Sequence, residues 1–464
     1  MREAILARGP VARRVVLTSL VVGVPVVFLR ATLDPFNVPK LSLLASGVLL
    51  VLAIRVIEMI QGTSWRGIER LWIPAALLSG PLLLSWLLSP YRSWAVFGLE
   101  PRFEGIVPYL FVILFGLLLN DAFRGRGPEL ALALCWSGAV VGGYAVIQTI
   151  GMDPFEWSLF GAPTEAVSTT GNPNFTGGFL GIVLPVGLAL AVADRGRRRV
   201  ILRLMVPIAL GWIAARSQGG WAAGIAGCAL VTGHLVSSRY RRARLLGATV
   251  AIMAALATVG VVIIAMIQPS GRFTPDAALV RARWWQAAIG MGMEHPIVGR
   301  GPNSFAMEGV SHRPLEDALV FGFDFPDDPH SIPLAMFANL GLPGLMGFIG
   351  ILGWAIWFFA RARAPSLLQV GFLAAVVAYF VQATVSIDEL TLRTGLWIGL
   401  AGLGTFQAAP DREQRPASKK SRARRPATRV ARRSPLRSPA LVGVVGFLTA
   451  VSLLWPASII VADA

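Results

Sequence analysis

Charge is scarce in this chain. Of its 464 residues, 14% are Asp, Glu, Lys or Arg and 55% are hydrophobic, with a mean hydropathy of +0.64. Soluble domains carry about a quarter charged residues, so a soluble multidomain protein is excluded, and so is disorder over most of the length. Cysteine is nearly absent: Cys135 and Cys228 both fall in apolar runs, which excludes a disulfide framework and a paired-cysteine metal site. Histidine occurs only at 234, 295, 312 and 330. No phosphate-cradling P-loop, GxGxxG, HExxH or CxxC motif is present, so nucleotide-driven or zinc-driven chemistry has no support. No repeat of about 20–50 residues and no inverted halves are visible, which argues against a secondary transporter.

What the chain has in abundance is apolar length. About 20 apolar residues cross a hydrocarbon core as a helix. The pattern predicts thirteen such spans, near 15–31, 41–60, 71–88, 105–120, 129–150, 175–193, 199–215, 220–238, 245–267, 332–360, 366–384, 392–409 and 439–460. The expected fold class is therefore an all-α polytopic integral membrane protein of 12–13 transmembrane helices. Residues 1–268 hold the N-terminal helices and 269–331 a large outer loop, with an interfacial amphipathic helix over 284–293. Residues 332–409 hold the C-terminal helices, 410–438 a basic segment, and 439–464 the last helix. The 49 glycines and 31 prolines sit within these runs, as membrane helices tolerate. Arg13 and Arg14 precede the first run and no small-residue cleavage site follows, so it reads as a retained signal anchor.

The net charge of +17 raises nucleic acid or an anionic membrane as partner. Position decides between them. Arg195, Arg197, Arg198 and Arg199, then Arg239, Arg241, Arg242 and Arg244, then Arg361 and Arg363, all fall on the side of the N-terminus. Cationic loops are retained in the cytoplasm, so the excess is a topological signal and no nucleic acid is implied. Residues 410–438, with 11 basic and 2 acidic residues, are expected to be disordered and to rest on anionic lipid headgroups. The four longer connections, near 32–40, 89–104, 151–174 and 268–331, lie on the other side. Function is expected there, on the outer face of the cytoplasmic membrane.

Few residues on that face could carry chemistry. His330, in Asp327-Asp328-Pro329-His330-Ser331, stands where the chain re-enters the membrane. A helix entrance recruits polar side chains for capping, and a histidine beside carboxylates can also accept a proton near neutral pH. Arg102, Arg216, Arg281 and Arg283 lie at outer membrane entrances. Snorkelling is the bland reading of each. Together they suit a diphosphate-binding cavity, because guanidinium meets phosphate oxygens two at a time. Asp324, Asp327 and Asp328 are close enough in sequence to suggest a divalent-cation site, an alternative that the arginines disfavour by offering the same charge.

The order of motifs resembles the O-antigen ligase / Wzy O-antigen polymerase superfamily. Glu294-His295-Pro296-Ile297-Val298-Gly299-Arg300-Gly301-Pro302-Asn303-Ser304-Phe305, then Asp328-Pro329-His330-Ser331, then Asn339-Leu340-Gly341-Leu342-Pro343-Gly344-Leu345 carry the resemblance. Gly171-Asn172-Pro173-Asn174, Arg102-Phe103-Glu104-Gly105, and Arg281 with Trp285 extend it over roughly 90–400. Two departures stand out. Ser217-Gln218 with Arg216 before it replaces the family's Ser-Arg, leaving either Arg216 or Gln218 as the contact, and Ser331 replaces an Asn. The resemblance implies a membrane glycosyltransferase of GT-C type, without metal or other cofactor. It would move a glycan from a polyprenyl (undecaprenyl) diphosphate carrier to an acceptor hydroxyl of a lipid, glycan or protein. His330 would act on the acceptor with Asp327 or Asp328 behind it. Arg281, Arg216, Arg102, Arg283, Gln218, Asn172 and Asn174 would bind diphosphate or glycan. Polymerase and protein O-oligosaccharyltransferase are variants of that activity; a lipid-linked glycan flippase and a membrane scaffold are alternatives from other classes.

Overall fold

The computed structural model describes residues 2–32, 34–63, 65, 68–100, 102–155, 166–239, 275–315, 319, 326–362 and 364–406. Its helices are α1 (Arg2–Val26), α2 (Asn37–Ile60), α3 (Ile68–Leu88), α4 (Trp94–Phe97), α5 (Ile106–Ala122), α6 (Gly127–Thr149), α7 (Pro173–Ala193), α8 (Arg198–Ala214), α9 (Gln218–Arg239), α10 (Pro275–Glu294), α11 (Phe305–Glu308), α12 (Ile332–Ala360), α13 (Leu367–Ala383) and α14 (Leu390–Gly404). Two 3-10 turns, Ser168–Thr170 and Gly309–His312, complete them, and no strand occurs among the described residues.

The chain is an all-α polytopic membrane protein. Seven helices, α1, α2, α3, α6, α7, α9 and α12, are long and apolar enough to cross a bilayer, while α5 and α13 are shorter apolar helices. Eleven of the thirteen predicted spans coincide with helices in the structure. The other two, 245–267 and 439–460, lie outside the described residues, as does the basic segment 410–438. One boundary differs clearly. The first helix starts at Arg2, well before residue 15, because Arg13 is neutralised inside it: its Nε lies 3.0 Å from Glu58 of α2 and its Nη1 2.6 Å from Asp121 of α5. Arg55 joins the same buried group through Nη1, 3.2 Å from Glu58. Removing one member of such a group leaves a buried charge without its counterion, at a cost of about 3–5 kcal/mol.

This ion group marks one end of the bundle. At the same end Arg70 of α3 donates to the Phe406 carbonyl at 2.6 Å, and the Gly125 amide to the Thr405 carbonyl at 2.7 Å, just past α14. At the opposite, loop end the described parts of the connections meet: Lys40 at the head of α2 donates to the Thr169 carbonyl, and the Leu99 amide to Asn303. At the centre stands α14, every residue of which is buried, flanked by α5, α7 and α13. Close approach elsewhere requires glycine: a Cβ on Gly142 of α6 would strike the Pro207 carbonyl of α8, and one on Gly211 would strike Gly142 itself.

The loop end has a second, small core in which Ala287, Ala288 and Met291 of α10 pack with Phe305 and Ala338. The helix predicted over 284–293 begins earlier, at Pro275, and it packs on α12. A kink in α12 shapes this contact. Pro343 has no N–H to give the carbonyl of Asn339, and Gly341 leaves helical geometry at φ 68° and ψ −164°. The freed Asn339 carbonyl accepts instead from the amides of Arg300 (3.1 Å) and Gly301 (3.0 Å) and from the Ser85 hydroxyl (3.1 Å). The Asn339 side-chain oxygen takes the Phe305 amide at 2.7 Å, and the Leu342 amide donates to Pro296 at 2.7 Å. The two separated motifs, 294–305 and 339–345, are thus two halves of one interlock.

Candidate active site at the loop end

The turn 327–331 lies at the head of α12, beside this interlock. Its backbone is shaped by Asp328, whose buried carboxylate accepts the His330 amide at 2.6 Å across an Asx-type turn. That turn holds His330 at φ 56°, a left-handed conformation uncommon for a residue with a side chain. The imidazole Nδ1 lies 3.0 Å from the Asp328 carbonyl. A carbonyl only accepts, so Nδ1 carries the hydrogen and Nε2 presents its lone pair. A carbonyl thus fixes the tautomer, and the Asp328 carboxylate holds the backbone.

Burial pushes the His330 pKa down to about 4, and the neighbouring positive charges of Arg281 and Arg102 work in the same direction. The ring is therefore neutral at pH 7. It packs against Trp284 of α10, centroids 4.9 Å apart. Arg281 lies one turn before Trp284, so the two share a face of α10. Arg283 is half-buried on the same helix. Arg102 reaches the turn from the connection before α5, giving Nε and Nη2 to the two oxygens of Asp327 at 2.7 and 3.0 Å.

Beneath this turn is a buried polar layer. Arg393 of α14 donates to Asp388 from Nε at 3.0 Å and to the Phe103 carbonyl from Nη1 at 3.1 Å, so it holds the connection that bears Arg102. Tyr109 and Tyr379 donate to the same Asp388 carboxylate at 2.7 and 3.1 Å. Glu104 is buried, takes the Asn303 amide at 3.4 Å, and has its pKa raised well above the usual carboxylate value, chiefly by burial and then by Asp328.

The remaining candidates form a second group around α7 and α9. Asn172 caps α7, its side chain accepting the Asn174 amide at 2.8 Å. Asn174 accepts Gln382 Nε2 of α13 on its carbonyl at 3.1 Å. Ser217 begins α9 by accepting the Gly220 amide at 3.1 Å, next to an exposed Arg216 at φ 50° and a half-buried Gln218. Residues 384–389 connect this group, at Gln382, to the first, at Asp388. His295 and His312 lie in the segment between α10 and α12. His312 lies 2.6 Å from Glu294; burial alone would lower its pKa, but the Glu308 carbonyl and Glu294 outweigh burial and raise it. Of the three aspartates weighed for a cation, Asp324 lies outside the described residues, and among the described residues no group of three His, Cys, Asp or Glu is arranged to hold a metal.

Residues 203–349, from α8 into α12, match the family model for O-antigen ligase. Over that third of its length the chain is similar to the O-antigen ligase family. No curated protein matches it. The ligase-domain match supports a ligase- or polymerase-type glycosyltransferase activity in a membrane, working on lipid-linked glycans in general. Arg216, Gln218, Arg281, Arg283, Asp327, Asp328 and His330 lie inside the ligase match, while Arg102, Asn172 and Asn174 lie outside it.

Sequence reasoning missed Glu104, Asp388, Arg393 and Lys40. Lys40 is fully buried at the loop end of α2 and donates to the Thr169 carbonyl at 2.6 Å. A signal was available for Arg393 and Asp388, since a charged pair at the edge of an apolar run implies a buried partner. Glu104 stood within a quoted motif but was passed over for its neighbour Arg102.

Proposed function

We propose that the protein transfers a glycan from a polyprenyl diphosphate carrier to an acceptor hydroxyl, at the outer face of the cytoplasmic membrane, with its N-terminus in the cytoplasm. The observation that carries this reading is the state of His330: a neutral, partly exposed imidazole with Nδ1–H fixed and Nε2 available, beside Arg281 and the Arg102–Asp327 pair. Nε2 takes the proton of the acceptor hydroxyl as its oxygen attacks the anomeric carbon of the donor sugar. The carbon–oxygen bond to the diphosphate breaks, and the electron pair leaves with the lipid diphosphate. Arg281 faces the growing charge on that leaving group; Arg216, with Gln218 and Arg283, extends the same cationic surface. General-base help of this kind is worth about 10²–10⁴-fold. Arginine supplies the charge stabilisation, so transfer is expected to survive a chelator.

The test supplies purified protein in lipid nanodiscs with a polyprenyl-diphosphate glycan and candidate acceptors. Product on a lipid or protein acceptor indicates a ligase, and lengthened glycan on the carrier a polymerase. Movement of the carrier across the bilayer without covalent change overturns the reading in favour of a flippase.

A further inference from the structure

Glu104 is the one carboxylate of the loop-end cluster that lacks a partner of its own. Asp327 has Arg102, Asp388 has Arg393 with both tyrosines, and Asp328 accepts the short bond from the His330 amide. Glu104 has only the long contact from Asn303 on Oε2, while Oε1 is buried with no hydrogen-bond partner. That orphaned oxygen borders a narrow cleft whose polar walls are Asn303, Asn339, Tyr109 and Asp388. Four carboxylates and two guanidiniums would leave this buried layer two charges negative if all were ionised, and such an excess is strongly disfavoured away from water.

We propose that Glu104 carries a proton at neutral pH, held on Oε1 and donated into the cleft, and that this neutral acid is the positioning residue that lets Asp328 stay ionised under His330. Burial raises the Asp328 pKa to about 7, yet Asp328 is the poorer place for the proton, because Arg102 and the N–H bond at 2.6 Å from His330 favour its charged form, whereas Glu104 has only the 3.4 Å contact from Asn303. The groups facing Glu104 are Arg102, Asp328 and Asn303 from the loops, Tyr109 from α5, Tyr379 from α13, and Asp388 with Arg393 at the head of α14. Ionising Glu104 sets it against Asp328 and Asp388 and competes with Asp327 for Arg102, so the turn that presents Nε2 loosens.

The test has one arm that needs no substrate and one that rests on the proposed glycan transfer. Infrared spectra of the full-length protein in nanodiscs should show a protonated-carboxyl stretch at pH 7, reduced in Glu104→Gln. A wild-type spectrum with no such band at pH 7, or a band unchanged in folded Glu104→Gln, overturns the proposal. In transfer assays Glu104→Ala should lose about tenfold or more. Glu104→Gln should restore that loss, because the amide is also neutral, and should lose the alkaline fall in rate seen in the wild type. A folded Glu104→Gln as inactive as Glu104→Ala overturns it as well. If the wild type itself transfers nothing, the glycan-transfer reading fails while the infrared arm still decides the state of Glu104.

Discussion

Arg102 and Asp327 are 225 positions apart in sequence and meet in a two-point ion pair, with both carboxylate oxygens engaged at 2.7 and 3.0 Å. This pairing braces the turn that carries His330. Lysine keeps the charge but cannot make both contacts. Arg102→Lys should therefore lose roughly 10–100-fold in transfer, the worth of one charged hydrogen bond. In a double-mutant cycle Arg102→Ala and Asp327→Ala should be strongly non-additive. Additive losses would show that the two act separately.

His330 should tolerate acid unusually well as a base. Its pKa is lowered from an ordinary 6.5 to about 4, so the neutral form is already dominant in the folded protein where an unfolded chain would be half protonated. The acid limb of transfer is expected near pH 4. Between about 6.5 and 4 the unfolded chain binds the extra proton, so stability present above that window is lost as pH falls through it. A pH–rate profile checks the first statement, and thermal unfolding across the same range checks the second. An acid limb near 6.5 would mean that the imidazole is solvated in the working enzyme.

Gly341 cannot accept a side chain. Its φ is 68°, and a Cβ there would sit 2.6 Å from the Pro296 carbonyl. The left-handed conformation alone costs a substituted residue about 1–2 kcal/mol. Gly341→Ala should thus lower stability by at least that amount and release the 294–305 segment, read as faster amide exchange at Arg300 and Gly301, whose N–H groups donate to Asn339. Unchanged exchange at those two amides would refute the interlock.

Asn172 offers a way to separate cap from contact. Its side chain is used by the Asn174 amide, so Asn172→Ala should cost about 1 kcal/mol. Asn172→Asp, which caps equally well, should recover the stability. A loss of transfer in Asn172→Asp with full stability would show that the amide also meets substrate.

Apolar run length determined, from sequence alone, the all-helical membrane fold, because a spanning helix follows from local hydropathy. The same reading singled out His330, Arg281 and Arg102 as candidates, since a polar residue at a membrane entrance is conspicuous against an apolar background. Partner choice was not legible in that way. That Arg102 belongs to Asp327, and that the Asn339 carbonyl left free by Pro343 takes donors from Arg300, Gly301 and Ser85, depend on residues tens to hundreds of positions apart being brought within about 3 Å. Glu104, Asp388 and Arg393 could be seen as charged residues at membrane entrances, but not as one cluster, for the same reason. A buried ion cluster is stabilised by members from several helices, and only the packing of α5, α12, α13 and α14 puts them together.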